Sequence, residues 1–180
     1  MAQVAVCLAR PNVNRLPFEA SNMRIVIGSD PIGFPLKESL KSHLSALGHE
    51  PVDLGCYAAS ETVDYPDVAF AVAEKIAVGE FDRGILVCGT GIGMAIAANK
   101  MPGVRAACCH DPYSAERARK SNDAQILTMG AEIVGPALGR QLLEHWLASE
   151  FAGGRSTAKV EKLNQLDRAL RGARQPGRSV

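Results

Sequence analysis

The sequence predicts an α/β fold in which a five-stranded parallel sheet is covered by helices on both faces. Three observations carry this. Short β-branched or apolar runs alternate with segments whose apolar residues fall at helical spacing, the connections between them are short, and no internal repeat or low-complexity stretch breaks the alternation.

The body begins at Met23. Arg24 to Gly28 is a short β-branched run of the kind a buried parallel strand needs. From Pro35 to Leu47 the apolar residues 36, 40, 44 and 47 share one helical face, and Gly48 follows as a stop. Pro51 to Leu54 reads as the second strand, and Pro66 to Val78 as the second helix, with proline at its start and Gly79 beyond its end. Arg83 to Cys88 is the third strand. Gly89-Thr-Gly-Ile-Gly93 then opens an alanine-rich helix running to about Lys100, and Val104 to Cys109 forms the fourth strand. Pro112 to Lys120 is helical, Gln125 to Met129 is the fifth strand, and Pro136 to Ala148 is an amphipathic helix. A last helix from about Ser156 to Leu170 carries Leu163, Leu166 and Leu170 on one stripe.

This division leaves residues 1–22 as a flexible extension, residues 23–170 as one domain and residues 171–180 as a polar tail. A chain of 180 residues can bury roughly 70% of its unfolded surface, enough for a single self-sufficient domain. With 20 basic and 19 acidic residues the net charge is +1, which argues against a dedicated nucleic-acid binder and requires any anionic ligand to be met by a local site. No apolar run reaches the length of a membrane span. Arg10, Asn12, Asn14 and Arg15 interrupt the apolar start, which argues against a secretory signal. Five cysteines without a C-x-x-C pair point to reduced thiols in a cytoplasmic protein, and to neither a zinc site nor disulfide staples.

In open α/β sheets ligands gather outside the carboxyl ends of the strands. The run Cys88 to Gly93 is the most informative such segment. Its glycines let backbone N–H groups approach a ligand, and a helix N-terminus follows, so the segment makes an anion cradle; a tight strand-to-helix turn is the alternative. It does not fit a dinucleotide fingerprint, and it lacks the Gly-Lys-Ser/Thr of a P-loop. Cys88 stands immediately before the cradle, where the helix end favours a thiolate able to take a proton; a buried structural cysteine is the competing reading. Asp30 after the first strand is a hydroxyl-orienting carboxylate or a helix cap. His110 after the fourth strand is a proton shuttle or a surface histidine. Cys108 and Cys109 read as strand core. Near the C-terminus, Arg155 and Lys159 lie one helical turn apart, suited to gripping a phosphate or else solvated.

Taken in order, GSDPIGF (28–34), DYP (64–66), ILVCGTGIGMAIAANK (85–100), PYSAERARKSNDAQIL (112–127), GAEIVG (130–135) and GGR (153–155) resemble the ribose-5-phosphate isomerase B / galactose-6-phosphate isomerase family, over Met23 to about Leu170. The resemblance implies a Rossmann-like three-layer α/β/α sandwich, a homodimer or dimer of dimers with active sites at subunit interfaces, and no metal or other cofactor. It implies that Cys88 moves a proton between C1 and C2 of an open-chain sugar phosphate. Gly89, Gly91, Ile92 and Gly93 would hold the cis-enediolate through backbone N–H groups, with Thr90 assisting. Asp30 would bind sugar hydroxyls, Asn122 would contact substrate, and Arg155 with Lys159 would bind phosphate from the partner subunit.

The departures are equally specific. The Asp-His pair usual after the first strand is Asp30-Pro31, the His-Asn pair whose histidine opens the sugar ring is Ser121-Asn122, an arginine common at position 132 is Glu132, and a second phosphate arginine is Lys159. Serine cannot donate or accept a proton at neutral pH as histidine does. A four-carbon sugar phosphorylated on O4 cannot close a five-membered ring, so a tetrose-phosphate isomerase (erythrulose 4-phosphate to erythrose 4-phosphate) would need no ring-opening acid, and S-N-x-A-Q-I is similar to that branch. Ribose 5-phosphate remains the default substrate, with His110 a substitute acid. A non-catalytic sugar-phosphate-binding module is the rival of another class.

Overall fold

A computed structural model of the chain describes residues 23–172; the extension read over 1–22 and the tail from 173 onward lie outside the described residues. The elements follow in strict alternation: β1 (Ile25–Ser29), α1 (Phe34–Ala46), β2 (Val52–Asp53), α2 (Tyr65–Ala77), β3 (Arg83–Cys88), α3 (Ile92–Ala98), β4 (Ala106–Cys108), α4 (Pro112–Lys120), β5 (Ile126–Gly130) and α5 (Pro136–Leu147). A 3-10 turn over Gly154–Ser156 then leads into α6 (Thr157–Gly172). The five strands form one parallel sheet in the order β2-β1-β3-β5-β4. This is the three-layer α/β/α sandwich expected.

Two cores explain why the central strands read as continuous apolar runs. Ile25, Ile27, Ile85, Val87, Leu127 and Met129 face α1, α4 and α5, where Leu40, Leu44, Leu142, Leu143 and Trp146 meet them. Val26, Leu86 and Ile126 point the other way, to Val68, Val72, Ile76 and Met94 of α2 and α3. Successive strand residues face opposite sides, so a strand covered on both faces needs apolar residues at every position.

The helix placement singles out β3. Its following helix lies on one face, whereas the helices that follow its neighbours β1 and β5 lie on the other. The chain therefore diverges on both sides of the carboxyl end of β3, which is where a crevice opens in such sheets.

Most predicted boundaries shift by one or two residues, and the shortening of the fourth strand has a local reason. The fourth strand, predicted over 104–109, is confined to Ala106–Cys108 because the Arg105 N–H donates to the Gln125 side chain instead of to a neighbouring strand. The outer edge of that short strand is closed by Asn99, whose amide donates to the Ala106 carbonyl (2.8 Å) and accepts from the Ala106 N–H (2.9 Å). A side chain standing in for a missing strand blunts an open edge. The last helix continues past residue 170 to Gly172.

Candidate active site

The carboxyl end of β3 is built by close backbone packing. Gly91 has φ +76°, a left-handed conformation that turns the chain into α3. A Cβ on Gly91 would sit 2.7 Å from the Met129 carbonyl carbon, and one on Gly130 would sit 2.6 Å from the Thr90 backbone. Glycine at both places lets the Gly89–Gly91 loop lie directly on the end of β5. Four hydrogen bonds then hold it there. The Gly91 N–H donates to Cys88 Sγ (3.1 Å), the buried Thr128 hydroxyl donates to the Gly91 carbonyl (2.8 Å), the Ala131 N–H to the Cys88 carbonyl (2.8 Å), and the Glu132 N–H to the Gly89 carbonyl (3.0 Å).

Cys88 is 5% exposed, and its sulfur accepts the Gly91 N–H. Burial pushes the Cys109 thiol up to about 12, and Cys109 belongs to the core as the sequence predicts. Cys108 is half-buried and lies against Gly91 instead of in the core; burial also raises its pKa. Asp30 follows β1 beside Val87, and its Oδ1 accepts the Gly33 N–H at 2.8 Å, closing the turn before α1; the N-cap of that helix is Gly33, so the helix-cap reading of Asp30 is not realised. Thr90 is exposed at the mouth, and the Glu132 carboxylate leans over Gly89. His110 stands at this same end. Its Nε2 accepts the Gly130 N–H (3.1 Å), which places the ring proton on Nδ1.

The other predicted residues gather at the opposite end of the sheet. Asn122, Arg155 and Lys159, together with Arg117, Ser121, Ser156, Val160 and Leu163, line a pocket of about 290 Å³. That pocket lies below the amino ends of the strands. Arg105, just before β4, donates to the carbonyls of Asn122 and Asp123 and to Asn164 of α6; Arg119 of α4 and Arg83 at the start of β3 share Glu150. The five residue steps of β3 from Arg83 to Cys88 span about 16 Å. Within one chain, then, Cys88, Thr90, Asp30, Gly89 and Gly91–Gly93 are brought together, Asn122, Arg155 and Lys159 are brought together, and the two groups are kept apart.

Sequence reasoning missed three contributors. Thr128 carries a signal, since a hydroxyl inside the apolar run Ile126-Leu-Thr-Met129 needs a partner once buried. Gly130 and Arg117 carry none, because their roles depend on which segments the fold places against them. Among the described residues no group of three or more His, Cys, Asp and Glu side chains is arranged to hold a metal ion, and no helix is long and apolar enough to cross a membrane.

Comparison with known proteins agrees with this architecture. Residues 25–163 match the family model described as Ribose/Galactose Isomerase. The chain is 52% identical over 149 residues to the ribose-5-P isomerase B of Listeria innocua, covering 83% of this chain and 100% of that protein. It is 48% identical over 145 residues to the D-erythrulose-4-phosphate isomerase of Pectobacterium atrosepticum, covering 81% and 95%. The solved ribose-5-phosphate isomerase B of Clostridium thermocellum superposes with a TM-score of 0.80 at 44% identity, covering 82% of this chain and 99% of that one.

Proposed function

The chain belongs to the ribose/galactose isomerase family and is a sugar-phosphate isomerase, and we propose that it interconverts aldose and ketose by moving one proton between C1 and C2 through Cys88. The thiolate takes the proton from the carbon next to the carbonyl, a cis-enediolate forms, its hydroxyl proton passes from one of the two oxygens to the other, and the thiol returns its proton to the other carbon. The cradle after Cys88 supports the anion. N–H groups of the Gly89–Gly93 segment other than those held by Cys88 Sγ and Thr90 Oγ1 would face charge that develops only in the transition state, where fixed dipoles act most strongly. Thr90 and Asp30 orient the sugar hydroxyls at this end.

The observation that carries the reading is the separation of the two groups. Cys88 and the pocket of Asn122, Arg155 and Lys159 lie at opposite ends of the sheet, and among the described residues lining that pocket there is no cysteine, histidine or carboxylate. Two copies related by a twofold axis place the pocket of one against the cysteine of the other, so that each active site is completed across the interface of a homodimer. The reaction needs no metal and no other cofactor.

For the substrate, the pocket supports a four-carbon sugar phosphate. Where a ring-opening acid would be expected, Ser121 accepts a hydrogen bond from Arg117, and no lining residue donates or accepts a proton near neutral pH. His110 stands at the other end with Nε2 engaged. Identity to the Listeria innocua enzyme favours ribose 5-phosphate as the second reading. The test is turnover of erythrulose 4-phosphate and ribose 5-phosphate, with solvent-proton incorporation at C1 or C2 and Cys88→Ala as the blank. Turnover confined to the tetrulose is expected. Comparable efficiency on both would overturn the substrate reading, and full activity of Cys88→Ala would overturn the mechanism.

A further inference from the structure

The cations at the amino end of the sheet are not equally compensated. The last turn of α4 carries Arg117, Arg119 and Lys120. Arg119 is buried and gives its guanidinium to Asp123 and Glu150. Lys120 pairs with Glu116 at 3.0 Å. Arg117 is left with the same Glu116 oxygen at 4.0 Å, which Lys120 already holds more closely, and its Nη2 donates to the Ser121 hydroxyl. Arg155 and Lys159, on the facing wall, have no ion-pair partner among the described residues. None of the residues lining the pocket is a carboxylate. Three positive charges therefore share a small space with little to balance them, a repulsion that an entering anion relieves in proportion to its charge.

We propose that Arg117 is the third cation of this pocket and makes it selective for a dianion, the terminal phosphate monoester, over a singly charged group of the same shape such as a sulfonate. The inference rests on reading the pocket as the phosphate end of the isomerase site. Its physical basis is separate from the chemistry at Cys88. A phosphate monoester carries close to two charges at neutral pH, with a second pKa of about 6. A guanidinium offers donors in a fixed fork that matches phosphate oxygens. The contact to Ser121, four residues on and at the end of the same helix, holds that fork in place without neutralising it. Nη1 makes only the 4.0 Å contact to Glu116.

The probes are 4-phospho-D-erythronate and 4-deoxy-4-sulfo-D-erythronate, aldonates that cannot isomerise, titrated calorimetrically into the full chain and into Arg117→Gln and Arg117→Lys. The wild-type chain is expected to prefer the phosphate by about tenfold or more at pH 7.5, with that preference shrinking as the pH falls through about 6. Arg117→Gln loses most of the preference and of its pH dependence, while Arg117→Lys keeps the charge and retains part of both. Thermal melting shows whether each variant is folded; if Arg117→Gln is not, a preference unchanged in Arg117→Lys at both pH values overturns the proposal. An Arg117→Gln chain that still prefers the phosphate tenfold overturns it, as does a wild-type chain that binds both probes equally or neither. Phosphate selectivity in a chain that turns over no sugar phosphate sinks the isomerase reading and leaves the dianion pocket standing.

Discussion

At the carboxyl end of the sheet the Gly89–Gly91 loop is held by backbone hydrogen bonds and by glycines that let one segment lie on another. At the amino end the corresponding work is done by charge. Arg83, Arg105 and Arg119 reach Glu150, Asp123 and Asn164, and the pocket cations sit beside that network. Burial lowers the pKa of the Arg83 guanidinium and so does nearby Arg119, with Glu150 opposing both. The contrast fits what each end would meet under the proposed reaction. A base and an enediolate need donors that do not move when charge appears, which fixed peptide dipoles supply. An anionic group arriving from solvent needs opposite charge, with donors matched to its oxygens.

The strongest way to break this comparison is to disable each end in a different chain. Cys88→Ala alone is expected to lose about 10³-fold or more of the isomerase rate, the scale of a general base. Arg155→Ala combined with Lys159→Ala is expected to be comparably inactive at low substrate. When the two inactive proteins are mixed under conditions that allow subunit exchange, heterodimers carry one intact site of two, and about a quarter of wild-type activity should return. If no activity returns while exchange is demonstrated by mass spectrometry of differently labelled chains, the two ends do not meet across an interface.

A smaller effect tests the packing at the carboxyl end. Gly91→Ala adds a methyl 2.7 Å from backbone and puts alanine at a left-handed φ. A loss of about 2–4 kcal/mol is expected from urea unfolding, with activity falling in parallel. A variant of unchanged midpoint would show that the loop is looser than its contacts imply.

The smallest expected effect lies at the other end. Glu150→Gln leaves Arg83 and Arg119 with one fewer partner, and because the Glu150 side chain is half exposed the expected cost is only about 1 kcal/mol. That cost should shrink as salt is added, whereas the Gly91→Ala effect should not. Equal salt responses would erase the distinction between the two ends.

Much of the fold was legible in the chain because it rests on local periodicity. The helix predicted over Pro112 to Lys120 and the strand over Arg83 to Cys88 match the observed bounds, and the others shift by one or two residues apart from the shortened β4 and the later start of α3 at Ile92. The strand-to-helix turn at Gly89–Gly93 was legible too, since three glycines after a strand permit the left-handed φ of Gly91 and its close approach to β5. Asn99 was not. It stands in a motif that looks chemical, yet its amide closes a sheet edge, and only the position of Ala106 shows this.

Read on its own, the chain specifies which segments are strands and helices and which residue types can carry proton transfer and anion binding, because period, glycine and charge act over a few neighbours. It does not say that Cys88 and Arg155 lie at opposite ends of one sheet, that Gly130 must accept the Thr90 backbone, or that Arg117 is the cation of α4 left without a close carboxylate. Those facts depend on strand order and on which face each helix takes. Both are settled by burying two apolar faces at once, an outcome that belongs to the whole chain and to no window within it.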